Sequence, residues 1–221
     1  MSIIAVVGLA REARIAKRAG LVPVIGGGDS QLLRQRLEMA AAETTAVISF
    51  GIAGALAPLL NTGDVVVATH VVTESEHYQT DAQWSQVLRT KLEQAHSVGL
   101  VGVDAVVGHI AQKKTLFRIT GAHAVDMESH VAARFAKRHG LPFAALRAIS
   151  DKSDHTLPPA ALEPLKPNGK PRLLAVLKSV LLEPSQVPEL IRTGSEASKA
   201  FGALLRCRNL LGIGLGCPYV G

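Results

Sequence analysis

Short, uninterrupted apolar runs alternate with helical segments through about the first 150 residues, and this alternation constrains the fold more than any other feature. Such runs are typical of strands buried on both faces, as in parallel sheets covered by helices. Strands are predicted at residues 3–7, 22–25, 46–50, 65–72, 98–107 and 142–149. Helices are predicted at 11–20, 29–42, 81–96, 109–119 and 129–138. The alternation predicts an α/β fold with parallel strand pairs and right-handed crossovers.

The composition is that of one globular domain with an aliphatic core. The chain has 221 residues, of which 48% are apolar and 19% charged, and only 4% are aromatic. So few aromatic side chains disfavour a stacking platform for nucleic-acid bases. Cys207 and Cys217 lack the spacing of a metal site, and free thiols fit a reducing cytoplasm. With no secretory signal and no apolar run of about 18 residues, we expect a cytoplasmic protein without a spanning helix.

Most of the excess positive charge lies in the last third of the chain. Residues 1–151 contain 15 basic and 13 acidic side chains, whereas residues 152–221 contain nine and five. Such an excess fits nucleic acid, an anionic membrane surface, an anionic substrate or a solvated basic face. Prolines punctuate residues 152–171, and helices are predicted at 172–182 and within 187–211. We therefore predict a Pro-rich turn region followed by a helical extension of the same domain.

Four polar or glycine-rich segments follow predicted strands, at the sheet edge where α/β proteins bind ligands. They are residues 26–29, 49–54, 126–128 and 150–151. Gly27 and Gly28 would let a phosphate approach the backbone before a helix, although a plain tight turn explains them equally well. Residues 49–54 have the same character, with close packing of strand and helix as the alternative.

The acids at these strand ends are the candidates for catalysis. Asp126 and Glu128 flank Met127 at a strand-to-helix junction, where a carboxylate can bind two ribose hydroxyls beside an apolar wall. The same acids would also favour the positive end of a helix dipole, so both interpretations stay open. Asp151, after Ser150, can be a general acid for a leaving group such as purine N7, or a loop residue that caps a turn.

In order and spacing, four motifs resemble those of the nucleoside phosphorylase and nucleosidase superfamily. They are Ile-Ser-Phe-Gly-Ile-Ala-Gly-Ala-Leu at 48–56, Thr-Gly-Asp-Val-Val-Val at 62–67, Val-Asp-Met-Glu-Ser at 125–129 and Leu-Arg-Ala-Ile-Ser-Asp at 146–151. With Gly-Gly-Gly-Asp at 26–29 and Leu-Pro-Pro at 157–159, the chain is most similar to the hopanoid-associated phosphorylases. That family is held to release adenine from adenosylhopane in hopanoid biosynthesis.

The resemblance implies a fold and roles for individual residues. The fold would be a three-layer αβα core with a mixed, largely parallel sheet in residues 1–151, and a helical appendage in residues 152–221. Glu128 would bind the ribose hydroxyls, Met127 would pack on the sugar, and Asp151, held by Ser150, would protonate purine N7. The backbone near Val106 and Val107 would contact the purine edge. Phe50 and Asp126 are the further substrate-binding candidates.

The stretch after the first strand distinguishes phosphorolysis from hydrolysis. Hydrolases of the superfamily have an acidic cluster there, whereas residues 8–14 contain one acid, Glu12, between Arg11 and Arg14. Arginines suit phosphate, so phosphate is the expected co-substrate, with no cofactor and no metal. The candidate phosphate ligands are Gly27, Gly28, Ser49, Arg11 and Arg14.

Two other functions stay open. One is hydrolysis of methylthioadenosine-like or S-adenosylhomocysteine-like nucleosides, with Glu12 as the base. The other is a membrane-associated binding protein without catalysis.

An enzyme acting on a lipid must reach the bilayer, and apolar helices with cations can lie at its interface. We expect residues 172–221 to dock the protein at the inner membrane face or to cover the lipid, with a helical cap or a subunit contact as equal alternatives. The expected partners are a small or lipid-linked nucleoside and a second copy of the chain in a homo-oligomer, but no nucleic acid.

Overall fold

A single mixed sheet of eight strands organises the chain, and the structure, a computed structural model, describes residues 2–219. The strands are β1 (Ser2–Val7), β2 (Val22–Ile25), β3 (Thr44–Ala55), β4 (Val65–Val72), β5 (His77–Gln79), β6 (His96–Gly102), β7 (Ala124–Asp126) and β8 (Phe143–Asp151). The α-helices are α1 (Ala10–Arg18), α2 (Ser30–Ala40), α3 (Ala82–Lys91), α4 (Ile110–Thr120), α5 (Ser129–His139), α6 (Leu173–Leu182) and α7 (Val187–Leu211).

The sheet is mixed and largely parallel, as predicted. β1 pairs in parallel with β2 and β3, β3 with β8, β4 with β6, and β6 with β7. The pairs β3–β7, β4–β5 and β4–β8 are antiparallel. Because β8 pairs with both β3 and β4, the strands β3, β7, β6, β4 and β8 form a closed ring. The carboxyl ends of β1, β3 and β8 therefore meet on one side of the molecule.

Helices cover both faces of the sheet, which confirms the predicted layers. Side chains of β1 alternate between two apolar clusters, with Ile3, Ala5 and Val7 in one and Ile4 and Val6 in the other. The first cluster is completed by α1, α3 and α7, and the second by α2 and α5. The period of two is what a strand buried on both faces requires.

The structure differs from the predicted elements in several places, and strand β3, predicted at 46–50, continues to Ala55 and includes the segment 49–54. The strand predicted at 98–107 spans His96–Gly102, and residues 103–107 form a loop. Gly102, the last residue of the strand, packs where a side chain would collide with His130, whose ring contacts Asp104 in the loop at 3.1 Å. The helix predicted at 81–96 ends at Lys91, before β6 begins. Strand β5 is absent from the prediction, and β7 is implied only by the strand-to-helix junction at Asp126, because three-residue strands are too short to give a periodic pattern.

The C-terminal extension divides into two parts. The second half of α7 buries Ala200, Phe201, Leu204 and Cys207 in the first apolar cluster. The indole nitrogen of Trp84 donates to the Leu215 carbonyl at 3.0 Å, which ties the segment after α7 to α3. By contrast, α6 has no buried residue. Of the helices within residues 2–219, none combines the length and the hydropathy needed to cross a bilayer.

Candidate active site

A small cavity of about 200 Å³ lies at the carboxyl ends of β1, β3 and β8, next to the start of α5. Most of its wall is apolar, and among residues 2–219 the charged side chains that line it are all acidic. These four acids are Glu12, Asp126, Glu128 and Asp151. The rest of the wall includes Gly8, Leu9, Ile52, Val103, Leu157 and Leu165.

Eight of the predicted site residues line this cavity together. They come from the loop after β2, the loop after β6, the β7–α5 junction and the end of β8. They are Gly28, Val106, Val107, Asp126, Met127, Glu128, Ser150 and Asp151. The prediction that the strand ends assemble one site therefore agrees with the structure at these positions.

Phe50 does not line the cavity. Its side chain is fully buried in the first apolar cluster, on the face of β3 that packs against α1 and α7. Because side chains alternate along a strand, Ile48 and Phe50 face that cluster, whereas Val47 faces the other one. Phe50 is a core residue, and the prediction that it contacts substrate is wrong.

The predicted phosphate ligands are not assembled at the cavity, apart from Gly28. Arg11 and Arg14 lie on the exposed side of α1 and line a separate, larger cavity. One helical residue turns the side chain by about 100°, so Glu12 points inward while its arginine neighbours point away. The Arg11 guanidinium lies 4.2 Å from the centre of the Phe201 ring.

Ser49 and Gly27 are occupied by structural contacts. Ser49 is fully buried, and its hydroxyl is bonded to Ser129 at 2.9 Å and to Arg147. Gly27 has a φ of +63°, and a side chain there would lie 2.7 Å from the Lys166 carbonyl. Gly27 therefore packs against the segment after residue 165 instead of facing the cavity.

Arg147 is a fully buried cation in the middle of β8, and sequence reasoning gave it no role. Its Nε lies 2.7 Å from Asp126 Oδ2, and its Nη2 lies 3.6 Å from Glu128 Oε2. It also donates to the Ser49 hydroxyl and to the Ile52 carbonyl. A buried guanidinium requires carboxylates close by, so Arg147 brings the acids of the cavity together. An arginine within a predicted buried strand was the signal that could have identified it.

Glu12 is held by three backbone N–H groups. Its carboxylate accepts from Gly8 at 2.8 Å, from Leu9 at 2.7 Å and from Ile52 at 2.8 Å. The first two bonds resemble an ordinary helix cap, but the third comes from β3 and fixes the carboxylate at the cavity wall. Burial raises the pKa of Glu12, although Arg147 and the three N–H groups oppose this shift.

Glu128 is a second buried acid whose pKa is raised. Burial raises its pKa from 4.5 to about 8, against the opposing effect of Arg147, and the negative charges of Asp126 and Glu12 raise it further. Asp126, in contrast, is held by the N–H groups of Glu128 and Ser129 at 3.2 and 2.8 Å. Asp126 and Glu128 thus share the Arg147 guanidinium, and a pKa of about 8 favours the protonated form of Glu128 at neutral pH.

Asp151 forms an ion pair with Lys113, a fully buried lysine on α4 that the sequence did not single out. Lys113 Nζ lies 2.5 Å from Asp151 Oδ2 and also donates to the carbonyls of Lys152 and His155. The Ser150 hydroxyl donates to Asp151 Oδ1 at 2.7 Å. Both oxygens of Asp151 are therefore positioned. Within Gln-Lys-Lys at 112–114, nothing distinguishes Lys113 from a solvated lysine.

The family model of the phosphorylase superfamily matches residues 10–182 of the chain. The protein belongs to the phosphorylase superfamily. The matched segment includes every acid that lines the cavity, together with Arg147 and Lys113. The predicted superfamily is therefore confirmed. No curated protein sequence matches the chain significantly.

Solved structures similar to this phosphorylase-superfamily member support the fold. A 5′-methylthioadenosine/S-adenosylhomocysteine nucleosidase from Helicobacter pylori is 17% identical, with a TM-score of 0.62 over 96% of this chain and 98% of its own. The corresponding nucleosidase from S. pneumoniae is 17% identical, with a TM-score of 0.61 over 93% and 99%. A futalosine hydrolase mutant of H. pylori is 18% identical, with a TM-score of 0.60 over 83% and 100%.

Proposed function

We propose that this protein hydrolyses the N-glycosidic bond between a purine base and its ribose, with Glu12 as the group that activates water. The observation that carries the proposal is the position of the Glu12 carboxylate on the N–H groups of Gly8, Leu9 and Ile52. Three converging N–H groups near a helix N-terminus form an anion-binding concavity. Here the protein fills it with its own carboxylate.

This arrangement favours water over phosphate as the attacking group. A phosphate ion in the cavity would meet four acids, and the N–H groups best placed to bind it are already bonded to Glu12. Arg147 is engaged by Asp126 and Glu128, and Arg11 and Arg14 line another cavity. Phosphate-dependent cleavage, which the sequence favours, would require the displacement of Glu12.

The residues around the cavity can divide the work of hydrolysis. Glu12 would take a proton from water as the water oxygen bonds to the ribose anomeric carbon, and its raised pKa suits a base. Glu128 would bind the ribose hydroxyls, next to Met127. As the carbon–nitrogen bond breaks, the pair of Asp151 and Lys113 would donate one proton to purine N7. Positive charge on the sugar in the transition state would be stabilised by the surrounding acids.

The wall of the cavity favours a nucleoside with an apolar group on its ribose. Leu9 lines both the catalytic cavity and the neighbouring cavity of about 1200 Å³, whose wall includes Leu173, Leu174 and Phe201. A large apolar substituent could extend past Leu9 into that space. This observation supports adenosylhopane as a candidate substrate. Methylthioadenosine, with its small methylthio group, is the compact alternative.

Adenine release from adenosylhopane and from methylthioadenosine, each with and without phosphate, tests the proposal. We expect rates that do not depend on phosphate. The substitution Glu12→Gln should lower kcat about 10²–10⁴-fold, because the proton acceptor is lost. The exposed Glu93→Gln is the matched control and should leave the rate unchanged. A rate that rises in proportion to phosphate, with a Glu12→Gln variant as active as the wild type, would contradict the proposal.

A further inference from the structure

Helix α6 exposes its leucines and turns its smaller residues inward. Ala175, Val176 and Val180 are half-buried against the rest of the protein. The leucines lie on the opposite side, with exposed fractions of 54–84%. We name these residues the leucine surface: Leu173, Leu174, Leu177, Leu181 and Leu182. Their spacing of three and four residues forms one continuous stripe, and soluble proteins rarely expose a stripe of this kind without a partner.

The orientation of α6 is fixed by a buried polar anchor. The Gln186 side chain donates to the Ser179 carbonyl at 2.9 Å and accepts from the Ala160 N–H at 2.8 Å. Gln186 is itself buried, so these bonds attach the inward side of α6 to the rest of the chain. The leucine surface is therefore a defined face of the molecule.

Cations without acidic partners surround the leucine surface. Between Glu163 and Glu183, residues 164–182 contain four cations and no acid: Lys166, Lys170, Arg172 and Lys178. Within the described residues 2–219, none of the four forms an ion pair. Arg11 and Arg14 line the same cavity as Leu173 and Leu174, which adds two more cations next to this face.

We propose that the leucine surface docks on a bilayer that contains anionic phospholipids. An apolar stripe bordered by cations is the arrangement of helices that lie in a membrane interface, where leucines enter the acyl boundary and cations contact headgroups. A second copy of the chain fits this face less well, because a two-fold contact would bring the same unpaired cations of both copies together. The docking segment is α6 and the residues before it, since the second half of α7 is buried in the core.

Docking would also orient the large cavity toward the lipid. Its wall includes Leu173 and Leu174 of the leucine surface, and it adjoins the catalytic cavity at Leu9. A lipid-linked nucleoside could then enter from the membrane side. This entry route rests on the proposed function, whereas the docking itself rests only on the surface of α6.

Flotation of the full-length protein with vesicles tests the docking. The vesicles are pure phosphatidylcholine, or phosphatidylcholine with about 30 mol% phosphatidylglycerol. We expect the wild type to float with the anionic vesicles, and Leu177→Glu/Leu181→Glu to lower partitioning at least about tenfold. Lys178→Gln should lower it about fivefold on anionic vesicles only. Met39→Glu/Ile119→Glu changes two exposed apolar residues on α2 and α4 and should float like the wild type.

Two further readouts separate docking from folding, catalysis and self-association. Each variant should release adenine from soluble methylthioadenosine at the wild-type rate, because none of the changed residues lines the catalytic cavity. If neither the wild type nor any variant releases adenine but flotation is as expected, only the proposed function is contradicted. Docking would be overturned if the wild type did not float, or if Leu177→Glu/Leu181→Glu floated equally well. It would also be overturned if that variant abolished a dimer detected by light scattering while vesicles bound neither protein.

Discussion

Arg147 and Lys113 are the two buried cations that set the chemistry of the site. Arg147 draws Asp126 and Glu128 to one side of the cavity, and Lys113 holds Asp151 on another. The sequence placed all three acids at strand ends, because apolar strands are visible as runs of residues. It could not identify Lys113, because the contact between α4 and Asp151 joins residues 38 positions apart.

At the residue scale, Lys113→Met tests the Asp151 pair. We expect the free energy of unfolding to fall by about 3–5 kcal/mol, because the Asp151 carboxylate would stay buried without its cation. Lys114→Met, an exposed neighbour on the same helix, is the matched control and should change stability little. Urea unfolding of both variants measures the difference. Equal stabilities would mean that the pair contributes nothing to folding.

Glu128 makes the stability of the protein depend on pH. Its pKa is about 8 in the folded protein against 4.5 ordinarily, so between these values the folded state binds more protons than the unfolded state. The contribution of Glu128 to the free energy of unfolding is therefore largest below pH 4.5 and is lost as the pH rises through about 8. Glu128→Gln cannot lose a proton, and we expect it to gain stability relative to the wild type from pH 5 to pH 9. Urea unfolding across this range checks the trend, which a constant difference would contradict.

At the scale of elements, strand β3 depends on a glycine where it passes Glu12. A methyl group on Gly51 would lie 2.5 Å from Glu12 Oε1 and 2.7 Å from Arg147 Nη1. Gly51→Ala should therefore displace the carboxylate, lower adenine release at least about tenfold and cost about 1–3 kcal/mol of stability.

The control for this change lies on α7. Gly194 is exposed in the helix, and a methyl group there would have no atom within 4 Å. Gly194→Ala should add about 0.5–1 kcal/mol of stability and leave activity unchanged, because alanine favours a helix more than glycine does. Urea unfolding and adenine release from methylthioadenosine measure both variants. If Gly51→Ala kept the wild-type activity, the position of the Glu12 carboxylate would not matter for cleavage, contrary to the proposed function.

The elements that the sequence predicted well are those with a clear period. The alternation in β1 and the helical pattern of α5 both correspond to elements of the structure. The direction of single side chains was harder to predict, because it depends on the register of each element. Phe50 was placed on the wrong face of β3, and Arg11 and Arg14 on the wrong side of α1, for this reason.

At the scale of the whole molecule, the segment after residue 151 contributes to the site, the core and the surface. Leu157 and Leu165 line the cavity with the four acids, and the Gly169 carbonyl accepts from the Ala10 N–H at 3.1 Å at the start of α1. The second half of α7 completes the core, whereas α6 stays exposed. The sequence located the charge excess in this region. It could not divide the region further, because α6 is the more apolar of the two helices and is nevertheless the exposed one.

Cleavage in H₂¹⁸O with saturating phosphate present is the most direct test of the claim that Glu12 activates water. Mass spectrometry of the sugar product identifies the attacking group. We predict a free sugar with one ¹⁸O on the anomeric carbon, and loss of this product in Glu12→Gln. An unlabelled sugar 1-phosphate would contradict water activation by Glu12, because phosphate would then have reached the position that the Glu12 carboxylate occupies.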